Sequence, residues 1–118
     1  MTPRQIIHLV KDAVAGKPLK KRSAHWPTVR KAWLAVHPTC AACGTSESCE
    51  VHHIQSFHEH PERELDDTNF ITLCDGPHRC HHRVGHVYDW KWNNVAVVAD
   101  AAVEWLRIVE REKYQAPP

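Results

Sequence analysis

Apolar positions recur at helical spacing toward both ends of the chain and at strand spacing in its middle. Thr2-Pro3 supplies an N-cap followed by proline at the first helical position, and Ile6, Ile7, Val10 and Val14 then share one face until Gly16-Lys17-Pro18 stops the helix. Thr28 to Val36 predicts a second helix, with Val29, Trp33 and Val36 on its inner stripe and Pro38 ending it. Trp26 and Trp33 read as core. Two short runs, Glu50-Val51-His52-His53-Ile54 and Phe70-Ile71-Thr72-Leu73, predict strands joined by the polar loop Gln55 to Asp67. The adjacent histidines of the first strand must point to opposite faces. Helical character resumes near Cys80. Asn93 or Asn94 then caps a long carboxy-terminal helix in which Val95, Val98, Ala102, Trp105 and Val109 repeat near helical period.

A chain of 118 residues suits one small α+β domain with a modest core and is too short for two ordinary ones. We divide it into a basic helical arm (1–37), a metal-rich centre (38–92) and a carboxy-terminal helix (93–118). No apolar run approaches a membrane span and the start lacks a signal-peptide pattern, so the expected location is the cytoplasm. There thiols stay reduced, and five cysteines point to metal binding rather than to disulfides. The net charge of +1 is uninformative, but its distribution is not. Residues 1–37 hold eight Lys/Arg against the single Asp12, an arm suited to a phosphate backbone.

The chemistry concentrates in the centre. Cys40-Ala41-Ala42-Cys43-Gly44 is a CxxCG knuckle, and Cys74 with Cys80 supplies a second pair, so four thiolates form a tetrahedral structural zinc site. The second pair is widely spaced, and His78 within it is a competing fourth ligand. Cys49 is a bystander. Eight of the eleven histidines fall between His52 and His86, more than core packing explains. Neutral imidazole binds transition metals or accepts a proton near pH 7. His58-Glu59-His60 is not the helical HExxH zinc-protease pattern, and both histidines read as loop residues.

The order CxxC, His-His-Ile, Asn-Phe-Ile-Thr-Leu-Cys, then Cys-His-His resembles an HNH endonuclease with a structural zinc ribbon, over about residues 40–92. It is similar in particular to the small phage and prophage members of that family. The resemblance implies a ββα-metal core, a hairpin and a helix holding one divalent cation, that hydrolyses DNA phosphodiester bonds. By position, His53 is the general base, His52 a metal ligand, and Asn69 the central Asn that either tethers the loop or helps bind the metal. His81 is the final metal ligand, with His82 beside it and His86 a turn on as alternatives. Lys20, Lys21, Arg22, Arg79 and Arg83 are candidate phosphate contacts.

His52 stands where many family members carry Asp. Imidazole in place of a hard carboxylate favours manganese, nickel or cobalt over magnesium as the catalytic ion. The expected partner is DNA, with phage packaging machinery a further implied one. The expected state is a monomer that nicks one strand. The competing reading is a non-catalytic zinc-ribbon DNA-binding or packaging adaptor, which needs the cysteines and the basic arm but not His52-His53.

Overall fold

Pro27, in the first turn of the first described helix, has no amide hydrogen to lose there, and its fixed φ suits a helix start. The computed structural model describes residues 21–111; the expected first helix, Lys20 and the carboxy-terminal tail lie outside them. Helix α1 spans Trp26–Val36 and ends where His37 N donates to Trp33 O, one residue before Pro38. Its inner stripe is shorter than expected. Val29 and Trp33 are half-buried, but Val36 is 73 % exposed because the helix runs past the sheet it rests on.

Strands β1 (Cys49–His53) and β2 (Phe70–Cys74) pair antiparallel, in a register from Cys49↔Cys74 to His53↔Phe70. Every residue of β2 is buried, so both faces of this two-stranded sheet are covered. On one face α1 places Trp33 edge-on to Phe70 and donates its indole N–H to Thr72 Oγ1 at 3.0 Å. On the other lies a single π-helical turn, His81–Gly85, closed by an i→i+5 hydrogen bond from His86 N to His81 O. The Cys40–Gly44 knuckle joins the edge of β2 through Ala41 N to Thr72 O at 2.9 Å, and Gly44 takes φ +80°, which glycine adopts without strain.

Helix α2 spans Val97–Trp105 and continues through a π turn, Leu106–Glu110. Asn94 fixes its start: Oδ1 accepts from Ala96 N, and Nδ2 donates to Val84 O in the first π turn. The buried face is Val97, Ala101 and Glu104, which replaces the expected stripe of Val95, Val98, Ala102, Trp105 and Val109. The two stripes differ by one residue, about 100° of rotation. Asn94 selects between them, and Glu104 is tolerated inside because Arg83 and Arg107 both pair with it.

The buried core cluster is Cys40, Ala42, Ile71, Leu73, Cys74, Cys80, Val84, Val97 and Ala101. Three of its nine members are cysteines, so much of the interior is thiol rather than hydrocarbon. Among the described residues no helix is long and apolar enough to cross a membrane.

Candidate metal centre

Two clusters of ligand-type side chains form where β1, β2, the knuckle and the π turn meet. In the first, the Sγ atoms of Cys40, Cys43, Cys74 and Cys80 all lie within 4.8 Å of one another. None is in a disulfide. The knuckle supplies two, the end of β2 the third and the start of the π turn the fourth. Cys80 donates toward Cys40 and holds its pKa down at about 4, whereas burial raises Cys43 to about 12. A divalent cation would bind all four as thiolates. This four-cysteine set can bind zinc. His78 lies outside it and gives its backbone carbonyl to Arg83 Nε at 2.6 Å. Cys49 is also outside; its thiol meets Thr45 O, and burial raises its pKa to about 11.

The second cluster is His52, His81 and His86, again with ligand atoms within 4.8 Å of one another. Hydrogen bonds fix the tautomers of two of them. His81 Nδ1 meets Asp75 Oδ1 at 3.1 Å and His86 Nδ1 meets Trp92 O at 2.7 Å. Both partners are acceptors, so each Nδ1 carries the hydrogen and each Nε2 of a neutral ring carries a lone pair. Those two Nε2 atoms nevertheless face each other at 3.1 Å. Two lone pairs at that separation repel; a proton on one of the two nitrogens or a metal ion between them relieves the repulsion.

His52 sharpens the point. It is 2 % exposed, and its Nε2 is the buried polar side-chain atom left without a partner among the described residues. Burial, followed by His86 and His81, pushes its pKa down to about 2, which favours the neutral ring. Leaving such an atom unsatisfied costs roughly 1–3 kcal/mol. A metal ion would take one nitrogen from each of the three rings, and the chemistry of the site fits one. Gly85 lets His52 approach: a Cβ there would stand 3.0 Å from His52 Nδ1 and 3.0 Å from Leu73 Cδ1.

His53 occupies the opposite face of β1, against Trp26 with ring centroids 4.6 Å apart and edge-on to Phe70. Its Nε2 donates to Glu64 O at 2.9 Å, which leaves the lone pair on Nδ1. Burial holds its pKa below the ordinary value, opposed by the bond to Glu64. Glu64 is itself anchored, its carboxylate accepting from Ser23 N and Arg22. Asn69 is fully buried and uses its whole amide on the loop: Oδ1 accepts from Gln55 N, and Nδ2 donates to Gln55 O and Arg63 O. Of its two expected roles it therefore takes the tether, with its oxygen committed to the loop rather than to a metal.

His82, read from the sequence as a metal ligand, is not in the trio. It stacks on Trp90 at 4.7 Å, and His86 occupies the third corner. The reason is the π turn. Residues five apart stand about 140° around an α-helix, whereas the i→i+5 bond brings His81 and His86 to one face. Asp75 and Gly85 were not legible as site residues, although one signal was available: Cys74-Asp75 and Cys80-His81 each place a group of the second cluster directly after a member of the first.

The candidate phosphate contacts separate. Lys21 is exposed, Arg22 is half-exposed but paired with Glu64, and Arg79 is exposed with its guanidinium 3.4 Å from His82 Nδ1. Arg83 bonds to Glu104, the His78 carbonyl and Cys80 Sγ. Comparison with protein-family models, curated proteins and solved structures finds no match.

Proposed function

We propose that this protein is a metal-dependent endonuclease of the HNH type, hydrolysing DNA phosphodiester bonds with His53 as general base. A zinc ion on the four cysteines then holds the fold, and the trio of His52, His81 and His86 holds the catalytic cation. The observation that carries this reading is the trio itself: three imidazoles with ligand nitrogens within 4.8 Å of one another, one of them bearing a buried Nε2 without a partner among the described residues, on a strand whose next residue is a histidine with a fixed tautomer. A purely DNA-binding zinc ribbon has no use for that arrangement.

His53 is built to accept a proton. The Glu64 carbonyl holds its Nε2 hydrogen, and the ring stays neutral because burial disfavours the imidazolium. Nδ1 is then the atom that takes the proton from the attacking water. Asn69 serves this step at one remove, because its bonds to Gln55 O and Arg63 O hold the loop segment that presents Glu64. A divalent cation bound by the trio supplies charge neutralisation at the phosphoryl oxygens and at the departing 3′ oxygen. Asp75 and the Trp92 carbonyl keep the Nε2 lone pairs of His81 and His86 aimed inward.

The test is incubation of the zinc-loaded protein with supercoiled plasmid and a panel of divalent metals. Nicked circles are expected to accumulate, a chelator too weak to extract the thiolate-bound zinc should stop the reaction, and His53→Ala should lower the rate by about 10²–10⁴ while keeping zinc and fold. No cleavage with any metal, or a wild-type rate in His53→Ala, would overturn the reading.

A further inference from the structure

The turn that follows the trio presents aromatic surface to solvent beside it. Trp90 is 52 % exposed, yet its ring centroid lies 5.1 Å from that of His81, 5.0 Å from His86 and 4.7 Å from His82. The indole therefore borders the cluster, with about half of its surface open to solvent. Tyr88 is 67 % exposed and touches His82 edge-on at 5.9 Å. Both residues thus leave much of their surface open to solvent beside the histidines.

The turn is also held in an unusual state. Val87 and Tyr88 take φ of 51° and 67°, left-handed values that a β-branched residue rarely adopts. Backbone bonds keep it there: Tyr88 N to His82 O at 2.9 Å, Asp89 N to His86 O at 3.0 Å and Trp92 N to Asp89 O at 2.8 Å. The two aromatic side chains are thus displayed from a rigid base, which limits the entropy lost when something packs on them. Arg79, also at positive φ, brings a guanidinium to the same edge through His82.

We propose that Trp90 and Tyr88 form a stacking platform for an unpaired nucleobase, so that the protein engages single-stranded or locally opened DNA in preference to intact duplex. This deepens the nuclease reading and rests on it for the identity of the ligand. Every base has a π face, and an aromatic side chain recognises it without regard to sequence. In a duplex both faces of an internal base are already covered by its neighbours. An internal base that stacks on Trp90 must therefore leave the duplex, and Arg79, at the same edge, can neutralise the charge of its backbone.

The experiment measures fluorescence anisotropy of a labelled single strand and of the matching duplex at one salt concentration, using zinc-loaded protein without added catalytic metal. The wild type should bind the single strand more tightly. Trp90→Ala should weaken that binding about tenfold while changing duplex affinity by less than about twofold, and Trp90→Phe should recover most of the loss. Tyr88→Ala, whose ring contacts His82 and makes no ring contact with His81 or His86, should lower single-strand affinity about fivefold and so guards against damage to the trio. Equal losses on both DNAs, or no loss in either alanine variant, would overturn the platform. Plasmid cleavage separates the two readings. A wild type that cuts DNA while its alanine variants keep the single-strand preference loses the platform alone. One that shows the Trp90-dependent preference without cutting keeps the platform and loses the nuclease.

Discussion

Gly85→Ala tests whether His52 is held where the site requires it. The new Cβ would stand 3.0 Å from His52 Nδ1, 3.1 Å from His52 Cε1 and 3.0 Å from Leu73 Cδ1. His52 is 2 % exposed and Leu73 is fully buried, so neither can swing away. Ordinary contact begins near 3.4 Å, and the imidazole must move by several tenths of an ångström. Overpacking of this kind costs about 1–3 kcal/mol. Replacing glycine in a helical turn returns roughly 0.5–1 kcal/mol of that by restricting the unfolded chain. The net loss of stability is then at most about 2.5 kcal/mol, of the order of 10 °C in melting temperature for a domain this small. Metal binding has no such compensation. Displacing one of three converging Nε2 atoms should weaken the trio's affinity for cobalt by about 10–100-fold, the scale seen when groups supporting metal ligands are lost. The assay is a cobalt titration followed by d–d absorption, with the thiolate site already filled by zinc, alongside a thermal melt. Wild-type cobalt affinity in a folded Gly85→Ala protein would show that His52 is not a ligand.

Three further predictions bear on the two clusters. Cys43→Ser should abolish zinc binding and cooperative unfolding together, read by bound-metal analysis and a thermal melt; a folded, zinc-free variant would refute the four-thiolate assignment. Asp75→Asn should weaken cobalt binding at the trio about 10–100-fold at unchanged zinc content, because His81 loses a charged partner at 3.1 Å; an unchanged affinity would remove Asp75 from the site. Wild-type plasmid cleavage should run faster with manganese, cobalt or nickel than with magnesium, and His52→Asp should shift that ranking toward magnesium by supplying a hard oxygen ligand. A ranking led by magnesium in the wild type would deny His52 that role.

The local elements were legible because their signals are local. Pro27 and Pro38 bracket α1 to within two residues of the expected range, and the short apolar runs placed the strands within one residue of their observed limits. The CxxCG knuckle and the paired Cys74 and Cys80 pointed to the thiol cluster, since thiolates at such spacing have few other uses in a reduced protein. Opposite faces for His52 and His53 follow from the pleat alone.

What the sequence left open depended on contacts between distant segments. Helix α2 carries apolar residues on several faces, and only the pinning of Asn94 to Val84 O selected Val97, Ala101 and Glu104 as the buried one. Asn69 had two chemically reasonable roles, and the loop that closes over it used up its amide. The choice among His81, His82 and His86 turned on a single hydrogen bond, His86 N to His81 O, which replaces α-helical with π-helical phasing. No residue in that turn announces such a shift. The sheet beneath it comes so close that a Cβ at Gly85 would stand 3.0 Å from both His52 Nδ1 and Leu73 Cδ1.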